Sequence, residues 1–155
     1  MRSRSTRSAP AWVTILVLCV AAAGCATARM DLPKDFLELE DRHDFQAVTA
    51  DDARIWIREF SDRNEAPLEF WIGVLTHEFT KQRGYELVKQ GAVTASLGTG
   101  NWFECAANVR GERIGYLVAV WASDGDITVV EFAARAEVFA ARVEEVRSAL
   151  TTVRT

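Results

Sequence analysis

RIGYLVAVWASDGDITVVEF, residues 113–132, is the stretch on which the fold turns. Its first half is apolar on both alternating sets, with Ile114, Tyr116, Val118 and Val120 on one and Leu117, Ala119 and Trp121 on the other. A strand with one wet face alternates apolar and polar residues, so this one is predicted to be a central strand covered on both sides. Ser123-Asp124-Gly125-Asp126 then supplies an Asp-Gly turn. Two-residue hairpin turns require positive φ, which Asp tolerates and Gly adopts freely. Ile127 to Phe132 returns as the antiparallel partner.

Working upstream, Trp102 to Val109 alternates strictly. Phe103, Cys105, Ala107 and Val109 share one face, and Trp102, Glu104, Ala106 and Asn108 share the other. That pattern buries the Cys105 thiol. Gly98-Thr99-Gly100-Asn101 is expected to be a loop joining two strands, since it lacks the third glycine and the lysine of a phosphate cradle and no helix follows it. Trp102, beside that loop and on the face opposite Cys105, is the candidate contact for a partner. Tyr85 to Val93 is predicted to be a strand interrupted at Gly91.

Pro67 suits the first position of a helix, and Leu68, Trp71, Ile72, Leu75 and Phe79 recur at helical spacing until Gly84 ends it. Phe45 to Val48 and Ala53 to Phe60 flank Thr49-Ala50-Asp51-Asp52 as a hairpin, with Arg54 and Arg58 beside Trp56 on one face. Phe36 to Leu39 is a short edge strand. Downstream, a helix from about residue 134 to 153 carries the stripe Phe139, Val143, Val146 and Leu150, with Arg142, Glu144, Glu145 and Arg147 on its wet side. The predicted class is α+β: a mostly antiparallel sheet of about 5–7 strands with two amphipathic helices packed on it, in the order β-β-α-β-β-β-β-α.

From Gly84 to Arg154 the pattern resembles PsbP-like and DcrB-like domains. The features that carry the likeness are a strand starting Gly84-Tyr85, a strand pair holding Tyr116 and Trp121 around Asp124-Gly125, and a last helix beginning near Phe139. The resemblance implies two helices on an antiparallel sheet. It also implies an exported protein that serves as a binding or assembly factor, with no catalytic residues to carry over.

The N-terminus has its own pattern. Arg2, Arg4 and Arg7 precede an uncharged run, Ala11 to Ala23, which is too short to cross a bilayer comfortably, since about 20 apolar residues are needed. A basic start, a short apolar run and small residues at its end form a secretory signal. Ala22-Ala23-Gly24-Cys25 resembles the lipobox of bacterial lipoproteins, which implies cleavage before Cys25, a diacylglycerol on its thiol and acylation of the new amino group. Ala22 stands where Leu is more usual, and a plain signal cut at Ala21-Ala22-Ala23 is the alternative. Ala26 in place of Asp implies the outer membrane, facing the periplasm, in an organism with two membranes. The expected organisation is a removed signal over residues 1–24, Cys25 with a tether to residue 34, and one domain over 35–155.

Loss of residues 1–24 takes three arginines and no acid, leaving 15 basic and 22 acidic side chains and a formal charge of −7. That balance excludes nucleic acid as a partner, because such binding rests on Lys and Arg meeting phosphates. Cys19 falls in the leader and Cys25 takes the lipid, so Cys105 has no disulfide partner. His43 lies in a charged turn and His77 off the stripe of its helix, and neither has a second His or a Cys at ligand spacing, so no metal or cofactor is expected. Ser96, Ser123 and Ser148 sit in no nucleophile context. The expected function is a non-enzymatic, lipid-anchored binding or assembly module of the cell envelope, its partners the membrane and an envelope protein. A ligand-binding or enzymatic domain with a cleft hidden from the sequence is the alternative, and a structural spacer is the third reading.

Overall fold

The computed structural model describes residues 27–40 and 44–155. Seven strands form one sheet: β1 (Leu37–Glu38), β2 (Phe45–Val48), β3 (Arg54–Ser61), β4 (Glu86–Ala95), β5 (Gly98–Val109), β6 (Glu112–Ser123) and β7 (Asp126–Arg135). Their spatial order is β1-β2-β3-β7-β6-β5-β4, and every pairing is antiparallel. Helix α1 (Leu68–His77) runs on into a π-helical turn over Glu78–Gln82, and α2 (Ala136–Ala149) ends in a 3-10 turn over Leu150–Thr152. The α+β class, the antiparallel sheet and the two helices are those expected, with three strands rather than two before the first helix.

The β6–β7 hairpin forms as its sequence dictates, with Asp124 at φ 52° and Gly125 at φ 80°. Arg110 and Gly111 turn β5 into β6 in the same left-handed way, at φ 53° and 87°. β6 is flanked by β7 and β5, and both of its faces are covered. On one face α2 and the 3-10 turn after it set Phe139, Val143, Val146 and Leu150 against Leu117, Ala119, Trp121, Phe132 and the isoleucines of β3. On the other, α1 lays Leu68, Trp71, Ile72 and Leu75 over Phe103, Cys105, Val118, Val120 and Ile127. The two helices therefore sandwich the sheet, which periodicity alone does not specify.

Three local expectations are corrected. Gly98 to Asn101 is part of β5, and the turn falls at Ser96-Leu97, just before Gly98 at φ 96°. Gly100 is required because a Cβ there would lie 2.7 Å from the Trp121 indole, so the glycine admits a ring rather than breaking a strand. β4 runs unbroken through Gly91, and its irregularity is a bulge between Leu87 and Lys89. Finally, the expected tether is packed against the domain from Ala28 onward. Ala28 and Met30 are buried in the α2-side core, and the Ala28 N–H donates to Glu59 at 3.0 Å. Arg29 and Arg154 bridge antiparallel through bonds of 2.8 and 2.9 Å. Alternating apolar residues, Ala28 and Met30, explain why this segment docks.

Candidate binding groove

Strand β6 has 12 residues and spans about 40 Å, whereas the 10 residues of α1 span about 15 Å. The helix therefore covers one half of its sheet face and leaves the other half open. Phe79, buried in the π turn, marks the boundary, stacked with Tyr85 at 6.3 Å and edge-on to Phe103 and Tyr116, each at 5.9 Å. Beyond it lies a groove of about 310 Å³.

Period-two alternation puts Arg54, Trp56 and Arg58 of β3 into this groove together, as the sequence indicated. Their neighbours across the strands come from far away in the chain. Trp56 pairs with Glu131 of β7 and Arg54 with Ala133, which pairs in turn with Tyr116 of β6. Ala133 and Ala107 are small residues among large ones, and their short side chains make the floor concave. Arg83 and Tyr85, delivered by the end of the π turn, form the opposite wall.

The polar chemistry centres on Glu131, whose side chain is 18% exposed. It accepts from both the Arg58 guanidinium and the Tyr116 hydroxyl. Burial, followed by the neighbouring Glu131 carboxylate, pushes the Tyr116 hydroxyl well above its ordinary range, so it stays a protonated donor. Arg58 also lies over the Trp56 ring, 5.4 Å from its centre, and Arg83 over Tyr85 at 6.0 Å. The Glu78 carboxylate first, and then Tyr85, hold Arg83 firmly charged. Three guanidiniums and one carboxylate therefore line a pocket in a chain that is acidic as a whole. A mixture of flat apolar rings and convergent donors suits binding of an anion.

The residues singled out in the sequence fall elsewhere. Cys25, the leader-like segment and His43 lie outside the described residues. Trp102 sits on the α2 face, half-buried, with the Arg147 guanidinium 4.8 Å above its ring and Gly91 beneath it. Arg147, read as a wet residue, is thus a cover for Trp102, and Arg142 likewise lies 5.8 Å over Phe36. Cys105 is buried as its alternation required, and that burial, with Glu104 nearby, pushes its thiol up to about 11. His77 is exposed, 3.2 Å from Gln82. Among the described residues no cluster of acids, His and Cys is arranged to hold a metal, and no helix is long and apolar enough to cross a membrane. Tyr116, Glu131 and Arg83 were missed as site residues, since only the strand order brings them to β3.

No protein-family model matches the sequence, and no curated protein matches it. Solved structures do share its fold. LpqN of Mycobacterium tuberculosis, described as involved in cell envelope biogenesis, is 12% identical with a TM-score of 0.62, over 83% of this chain and 84% of that one. Cyanobacterial PsbP of Synechocystis sp. PCC 6803 is 9% identical with a TM-score of 0.59, over 86% and 95% of the two chains. PA94 of Pseudomonas aeruginosa is 9% identical with a TM-score of 0.60, over 83% and 97%. At such identities the likeness is one of fold, and the fold is the PsbP-like one expected from residues 84–154.

Proposed function

We propose that this chain is a non-enzymatic binding module of the cell envelope, anchored by a lipid on Cys25, and that its binding site is the groove between β3, β7, β6 and the Arg83–Tyr85 wall. The observation that carries the reading is the half-covered sheet face, where rings and guanidiniums converge on a concave floor. A fold shared with LpqN, a protein described as involved in cell envelope biogenesis, supports the address. The leader pattern ending at Cys25 supports the anchor.

The two halves of the proposal fit one geometry. Ala28 is held at Glu59, near the end of β3, and Arg54 at the start of that strand lies in the groove. An anchor three residues before Ala28 sits within about 10 Å of chain, while the groove runs along the same strand from Arg58, next to Glu59, to Arg54, about 16 Å from Glu59. The domain would stand close to the bilayer, with the groove extending from the anchored end of β3. Trp102 remains a proposed second contact, reached once Arg147 swings aside.

Labelling with radioactive palmitate tests the anchor. The full chain should incorporate label and sediment with membranes, and Cys25→Ser should do neither. Label retained by Cys25→Ser, or unchanged sedimentation, refutes it.

A further inference from the structure

We propose that the groove takes a small carboxylate carried on a flat apolar body, an aryl or short acyl acid. The inference rests on the groove being the module's binding site and adds the chemistry of its ligand. Arg58 is committed inward, to Glu131. Arg54 and Arg83 are not. Among the described residues Arg83 pairs through Nε with Glu78 at 2.9 Å and lies beside the Tyr85 hydroxyl, so its terminal nitrogens can turn to a charged acceptor. Arg54 spends Nε and one terminal nitrogen on the exposed Asp52, at 3.0 and 2.8 Å. Pairs between exposed groups contribute little, so both guanidiniums can turn to a better-placed anion. An Arg fork matches a carboxylate in shape as well as charge.

Glu131 selects the charge. It already places one negative group in the groove, against three guanidiniums. With Asp52 and Glu78 also pairing Arg54 and Arg83, carboxylates balance the guanidiniums, so a monoanion is accommodated at less cost than a dianionic phosphate, whose second charge meets these acids. The apolar body is selected by Trp56 and Tyr85, between which the alanine floor leaves a shallow slot edged by Ile114 and Val109. A space of about 310 Å³ suits one small ligand and is too small for a helix or a folded partner.

The chain as the cell processes it, lipidated or not, is purified in maltoside micelles and titrated with 2-naphthoate, with its neutral counterpart 2-naphthamide, with 2-naphthyl phosphate and with inorganic phosphate. The readout is the Trp56 indole N–H signal in nitrogen-15 NMR, assigned by its loss in Trp56→Phe. Naphthoate should shift it saturably, and the amide and inorganic phosphate should bind about tenfold more weakly or less. Arg54→Gln with Arg83→Gln should bring naphthoate down to the level of the amide, while Arg113→Gln, outside the groove, changes nothing. Equal shifts by acid and amide, tighter binding of the naphthyl phosphate, an unaltered double variant, or no shift at Trp56 would each overturn the assignment. None of these outcomes depends on palmitate labelling, so ligand class and anchored module fail separately.

Discussion

Gly115 is the place where the α2 layer is closest to the sheet, and replacing it with alanine should be costly for one reason only. A Cβ at Gly115 would run into Phe139, meeting its Cβ, Cγ and Cδ1. Gly115 is not among the residues at positive φ, so an alanine suits the backbone and the clash stands alone. Phe139 cannot retreat, being 6% exposed and stacked on Phe132 at 5.1 Å between ring centres. Overpacking by one methyl in such a site costs about 1–3 kcal/mol, and the rigid neighbours put Gly115→Ala at the upper end. For a domain of this size that lowers the melting temperature by roughly 8–12 °C, at about 4 °C per kcal/mol. Phe139→Ala alone should cost about 3–5 kcal/mol. Removing the ring takes away Cγ and Cδ1, the two nearer atoms, and leaves only the Cβ contact, so the double variant should cost clearly less than the sum of the two single changes. Urea unfolding of the four proteins measures the cycle. A Gly115→Ala protein within about 0.5 kcal/mol of wild type, or additive costs in the double variant, would refute the reasoning. Ile114 and Tyr116 face the other way, so naphthoate binding should survive the change.

Two further expectations concern the rest of the core. Met30→Ala should destabilise by about 2–3 kcal/mol in the same urea assay, as for a core methionine; a loss below about 0.5 kcal/mol would mean that residues 28–33 hang free as a tether. The Cys105 thiol, raised to about 11 from an ordinary 9.0, favours the folded state fully below the unfolded value and loses that contribution as pH climbs through the folded one. Stability should fall between about pH 9 and 11 more steeply in wild type than in Cys105→Ala, and native Cys105 should react with a thiol reagent only on unfolding. Fast labelling at pH 8 would contradict both.

Short-range chemistry made much of this fold readable. The Asp124-Gly125 turn, the stripe after Pro67 and the strict alternation from Trp102 to Val109 each obey a local rule, and each stands where that rule puts it. The misread positions are those where a distant side chain decides. Gly98 to Gly100 looks like a loop because glycine is rare in strands, yet Gly100 is there for Trp121, some twenty residues on. Alternation likewise sorted β3 into two faces but could not say which helix lies over which. The groove was half legible for the same reason. Arg54, Trp56 and Arg58 belong together by period two, whereas Glu131 and Tyr116 join them only because β7 crosses the chain to lie beside β3. Such a crossing is set by the burial of whole layers, and no window of residues contains it.

The bridge between Arg29 and Arg154 sets an order of events as well as closing an edge. Among the described residues Arg29 precedes every strand and Arg154 follows every helix, so that contact has a very long loop to close. On a ribosome the early segment must wait, with Ala28 and Met30 uncovered, until α2 and the residues after it have emerged. Under the export proposed above, the delay would leave the chain unfinished when it meets the translocation machinery. The clasp that steadies the finished domain is thus also a timer on its completion.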